Sequence, residues 1–196
     1  MLNENFVIIG VLFQFFGAFP YIKETIQGKI QPNKVSWFCW SIAPLIASAA
    51  EFSQGVGILS LATFIVGFVP LLVFSASFLN KKADWKITKF DLVCGSLSLV
   101  GLVLWYITKI GNVAIFFSIM ADFLASVPTI SKSYTHPESE SASIYVIGLP
   151  NPIIALLVIK QWNFQNFGFP LYLLIDSAII AFLIVTRIGK KFLHSK

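Results

Sequence analysis

The sequence predicts an all-α membrane protein: seven transmembrane helices in a 3+1+3 arrangement, formed by two parallel triple-helix-bundle repeats around a linking helix. Three observations predict it. Aromatic and aliphatic residues make up 57% of the chain and charged residues only 12%, too little polar surface to cover a soluble globule of this size. Seven apolar stretches have the length of a span. Sliding the chain by 108 residues lays Pro20 on Pro128 and Pro44 on Pro152 without a gap, and carries Ile22 onto Ile130 and Trp37 onto Tyr145. A period of that size in a membrane chain is the register of a duplicated bundle.

A bilayer core of about 30 Å takes roughly 20 apolar residues per helix. The first span, 6–26, follows an N-terminus with neither Lys nor Arg, so it reads as a retained span and not as a signal peptide. The second, 35–53, opens on Trp37 and Trp40 after a short basic loop and carries Pro44. The third covers 56–79. The lysine-bearing link 80–90, with Trp85, reads as interfacial. The fourth span, 92–107, has no counterpart under the shift and therefore joins the two triplets. The fifth, 113–133, ends in a polar turn at His136-Pro137-Glu138-Ser139. The sixth, 144–159, holds Gly148, Pro150, Asn151 and Pro152, and is expected to be kinked or broken there. Freed backbone groups find no partner in lipid, so the break should face protein or a wet cavity. The seventh covers 167–188. The units are residues 1–79 (first repeat), 80–110 (link and linker helix) and 111–196 (second repeat and basic tail).

Charge sets the expected orientation. Twelve Lys and Arg fall in loops on one side of these spans, and only Lys109 and Lys160 on the other. By the positive-inside rule the N-terminus lies outside and the C-terminus in the cytoplasm, in the inner or plasma membrane. Because the positive charges sit in loops between apolar segments, the basic balance is no nucleic-acid footprint. A homo-oligomer is left open.

Polar residues inside the spans are the candidate site. Ser118, Asp122, Ser126, Thr129 and Ser133 recur at helical spacing on one face of the fifth span. The shift sets Gly10, Gln14, Ala18, Tyr21 and Thr25 on the matching face of the first. Such columns either pack helices closely or line a wet cavity, and an acid in lipid favours the cavity. By depth, Gln14, Asp122, Asn151 and Asp176 all fall near the bilayer midplane with no Lys, Arg or His at their level. Two carboxylates so placed are protonated, hydrated or bound to a cation. At the outer end Glu51 and Lys160 occupy near-equivalent positions and form either a solvated rim or a gate-like pair. Enzyme chemistry is not expected: His136 and His194 lie in loop and tail, and neither intramembrane Asp has the glycine setting of an aspartic protease. Cys39 and Cys94 each stand alone in apolar segments, so no disulfide, metal site or cofactor is expected.

The three-one-three plan, the prolines of spans 1, 2, 5 and 6, and the outside N-terminus resemble the SWEET and PQ-loop transporter superfamily. Its Pro-Gln pair is Pro20-Tyr21 in the first repeat here and Pro128-Thr129 in the second. The loop phrase GKIQPNKVSWFCW looks like that of bacterial membrane proteins related to this group. The resemblance implies that Pro20, Pro44, Pro128 and Pro152 are hinges. It also implies a transporter moving a small polar solute (a sugar, amino acid or nucleoside-like molecule) through a central pocket by alternating access, with or without proton coupling. Gln14, Asp122, Asn151 and Asp176 would contact that solute, and the fourth helix would be a scaffold outside the pocket. The alternative is a membrane receptor or assembly factor on the same bundle, as in KDEL receptors. A cavity open to each side in turn favours transport; one sealed permanently at one face favours the receptor.

Overall fold

The computed structural model describes residues 6–53, 55, 57–79, 85–108, 111–157 and 161–193. Every regular element among them is helical: α1 (Phe6–Ile26), α2 (Lys34–Ser53), α3 (Ser60–Ala76), α4 (Lys89–Ile107), α5 (Gly111–Thr135), α6 (Ser143–Gly148), α7 (Pro150–Leu157), α8 (Phe164–Thr186) and α9 (Ile188–Leu193). Among the described residues, three stretches are long and apolar enough to cross a bilayer: Lys89–Ile107, Ile115–Thr135 and Asn166–Thr186. The outward faces of α4 and α8 expose Leu92, Val93, Val100, Val103, Ile175, Phe182 and Val185. Exposed apolar faces of that extent mark a membrane or interaction surface, and they are compatible with an integral membrane protein.

Local chemistry explains where the helices stop. Gly28 takes φ 72° just beyond α1. Its N–H donates to Thr25 O at 3.0 Å and the Lys29 N–H to Glu24 O at 2.9 Å, a pair of bonds that closes the helix end. Arg187, left-handed at φ 53°, ends α8 in the same way, its N–H reaching Leu183 O at 3.0 Å. The expected break in the sixth span falls at Leu149, between α6 and α7. Pro150 and Pro152 have no N–H to give to Val146 O and Gly148 O. Val146 O accepts instead from Leu149 N at 3.2 Å, a tighter turn between the two helices.

Two groups of helices result. α3 packs against both α1 and α2, and α8 packs against α5 and against α6 and α7. The groups meet where α1 touches α6 and α2 touches α5, while α4 lies along α5 and reaches α2. Tyr21, Trp37, Val73, Tyr145 and Ile180 form the core at this junction, with Ile22 and Ile130 packed against it. The Trp37 and Tyr145 rings, which the 108-residue shift superposes, lie 6.3 Å apart.

α2 and α3 approach closely because position 67 is glycine. A Cβ there would stand 2.8 Å from Leu45 Cγ, 2.9 Å from Leu45 N and 3.0 Å from Ser41 O. Two of those atoms are backbone and cannot swing aside. Gly67→Ala is therefore expected to lower stability by about 1–3 kcal/mol through overpacking. Gly10→Ala, where a Cβ would meet nothing within 4 Å, should lose none, since Ala is the better helix former. Thermal unfolding of the two variants side by side checks the contrast.

Candidate functional site

A cavity of about 540 Å³ lies between α2, α3, α4, α5, α7 and α8. Ala47, Thr63, Trp105, Ile115 and Phe169 in its wall set it toward the end where α2 runs into α3, away from the α1–α2 and α5–α6 loops. Its volume is that of a small-molecule site. Most of the wall is apolar or aromatic, with Trp40, Trp105 and Phe169 as its rings; Thr63, Ser98, Ser118, Asn151 and Asp122 supply the polar side chains. Among the described residues no Lys, Arg or His lines it.

Asp122 is the acid of this wall. The Tyr172 hydroxyl donates to its Oδ2 at 2.7 Å. The Trp40 indole stands beside the same carboxyl group. One helical turn further along both helices the Ser126 hydroxyl donates to Asp176 Oδ1 at 2.8 Å. The two bonds are parallel rungs, 122 to 172 and 126 to 176, as expected when α5 and α8 run in the same direction. Asp176 is buried behind the wall and does not line the cavity.

The candidate residues thus divide. Asp122, Asn151 and Pro44 come together in the cavity. Gln14 is partly buried on α1, which contributes no side chain to the wall. Pro20 faces outward from α1, whereas Pro128 and Pro152 are buried. The polar stripe of α5 splits in two: Ser118 and Asp122 line the cavity, while Ser126, Thr129 and Ser133 are fully buried among neighbouring helices. The expected scaffold role of the fourth helix needs correction, because α4 gives Ser98, Leu102 and Trp105 to the wall. It lies along α5, and its backbone comes close enough to do so because position 101 is glycine: a Cβ there would stand 3.0–3.3 Å from Ala121. Lys160 and the side chain of Glu51 lie outside the described residues.

At the opposite, lysine-bearing end the helices are closed by a buried ion pair. Lys132 Nζ lies 2.8 Å from Glu140 Oε1, and both side chains are almost wholly out of solvent. The Tyr21 hydroxyl donates to Glu140 Oε2 at 2.6 Å. Lys132 also donates to the carbonyls of Gln31 and Ser139 and sits 4.7 Å from the centroid of the Trp85 ring. Gln31 N donates to Ser139 O at 2.8 Å, joining the α1–α2 loop to the α5–α6 loop. Beside this closure Asn33 donates to Asp91 Oδ1 at 2.9 Å while its own Oδ1 accepts from Val35 N and Ser36 N, tying the starts of α2 and α4 together. Farther out, Glu138 pairs with Lys190 at 3.2 Å. Bonding to its own backbone amide, and then to Lys190, holds the Glu138 carboxyl below the usual range.

Sequence reasoning missed Tyr172, Trp40 and the Lys132–Glu140–Tyr21 closure. A signal existed for the first: Tyr172 precedes Asp176 by one turn, so it shares a face with an acid already singled out. Glu140 carried none, since a Glu in a polar turn ordinarily points to water. No family model, curated protein or solved structure matches the chain.

Proposed function

We propose that the chain is a membrane transporter that moves a small polar solute by alternating access, its two three-helix repeats rocking about the cavity. The observation that carries this is the pairing of a cavity set toward one end with a polar, buried closure at the other. A seal made of an ion pair and a tyrosine hydroxyl can be exchanged for water when the helices part, because each group is well solvated when exposed.

The contact pattern supports the two-repeat arrangement. α3 and α8 each pack against both other members of their triplet. α1 meets the second helix of the other triplet, and α2 meets its first, the reciprocity that a two-fold relation requires. Gln31 and Ser139, bonded through their backbones, are themselves 108 residues apart. Pro44 in the cavity wall and Pro152 beside the α6–α7 break are the proposed moving hinges, with Pro20 and Pro128 as their partners. On the charge count, the closed end is cytoplasmic and the N-terminus outside.

The receptor alternative also expects a cavity sealed at one face, and one experiment separates the two. Ser118→Cys, in a background with Cys39 and Cys94 replaced by Ser, puts one thiol in the cavity wall. Membrane-impermeant maleimide should label it in right-side-out vesicles and, more slowly, in inside-out vesicles. Pro44→Ala or Pro152→Ala should reduce the slower labelling severalfold. Labelling from one side only leaves the receptor as the better account.

A further inference from the structure

We propose that the solute is an organic cation, an amine or quaternary ammonium carried on an aromatic or apolar body; this rests on the cavity being the solute site. Among the described residues its wall holds one carboxyl group, Asp122, and no Lys, Arg or His. Tyr172 fixes that group from behind through Oδ2. Trp40 stands beside it, and Trp105 and Phe169 complete an aromatic wall.

Each solute class meets this wall differently. An anion finds a like charge and no cation. A sugar presents many hydroxyls to a wall whose polar side chains are few, and each group left unmatched is costly to bury. A wholly apolar molecule would strip water from Asp122 and return nothing. An ammonium group replaces that water with a charge-assisted hydrogen bond or direct ion contact. Its positive charge is also attracted to aromatic faces, tryptophan most strongly. The apolar remainder of the cavity then takes the body of the solute. Asp176 is no rival partner, because Ser126 occupies it behind the wall.

Phenethylamine and 2-phenylethanol are suitable probes: nearly the same shape, one cationic and one neutral at pH 7. Calorimetric titration of the purified full chain should detect the amine and find the alcohol at least about tenfold weaker, as a charge-assisted bond implies. Asp122→Asn should remove that preference, whereas Asp122→Glu, which keeps the carboxyl group, should retain part of it. Trp40→Leu should weaken the amine more than the alcohol. Equal affinity for amine and alcohol, an unchanged preference in Asp122→Asn, or binding of glucose with none of the amine would each overturn the proposal. Two-sided labelling of Ser118→Cys is read without any solute. Alternation without amine binding therefore refutes the cation and leaves transport standing, while amine binding at Asp122 without alternation supports the cation and refutes transport.

Discussion

Glu140→Gln is expected to destabilise the folded chain by about 3 kcal/mol, the lower end of the range for removing one partner of a buried ion pair. The substitution leaves the Lys132 ammonium out of solvent with only neutral partners: the carbonyls of Gln31 and Ser139 and the face of Trp85. Those contacts keep the loss from being larger. Tyr21 can still donate to the amide oxygen of Gln, so its bond is not the main loss. The double variant Lys132→Met/Glu140→Gln should recover most of the stability, because a buried pair replaced by groups of similar size is often close to neutral. Thermal unfolding of the three proteins in one detergent measures both effects. A single variant within 0.5 kcal/mol of the parent, as expected for a solvent-screened pair, would show that this end of the bundle is wet. In the transport reading the single variant should also label faster from the lysine-bearing side.

Asn33→Ala should cost about 2–4 kcal/mol. Two losses combine in it: the cap of α2, where Oδ1 accepts from Val35 N at 3.0 Å and Ser36 N at 3.3 Å, and the donor to Asp91. Loss of a cap costs about 1 kcal/mol, and loss of a hydrogen bond to a charged group about 1.5–3 kcal/mol. Asp91 keeps its capping box with Thr88, which limits the damage to one carboxylate oxygen. Asn33→Ser separates the parts, since a hydroxyl can cap α2 but is too short to reach Asp91 as the amide does. It should lose roughly half as much. Asn33→Asp should also cap, yet would turn a carboxylate toward Asp91. If Asn33→Asp proves the most stable of the three, the bond to Asp91 is not holding the helix starts together.

Helix positions were legible in the sequence because apolar length and proline punctuation are local signals. Predicted spans and observed helices agree to within a few residues, and the break at Leu149 lies where Gly148, Pro150 and Pro152 cluster. Which side of a helix meets which neighbour was not legible. A serine reads alike whether it faces water or a packed helix, so the α5 stripe could not be divided at Ser126 from spacing alone. Nor could the role of α4 be read, because its wall residues are ordinary apolar side chains and one serine. The closure around Lys132 needed residues brought together across 101 and 119 positions of chain, and the charges composing it looked like solvated loop charges until those loops were folded onto each other.

In the proposed two-repeat arrangement the closure has no symmetry mate. Under the 108-residue shift Lys132 corresponds to Glu24 and Glu140 to Pro32, so the first half of the chain cannot make a second copy of the pair. The backbone bond between Gln31 and Ser139 joins positions 108 apart, whereas Lys132 and Glu140 both belong to the second half of the chain. If the halves part at this end, they do so as a door with a single bolt, swinging from the unbolted flank, and not as an iris widening evenly. The aperture would be eccentric and edged on one margin by an ammonium and a carboxylate newly met by water.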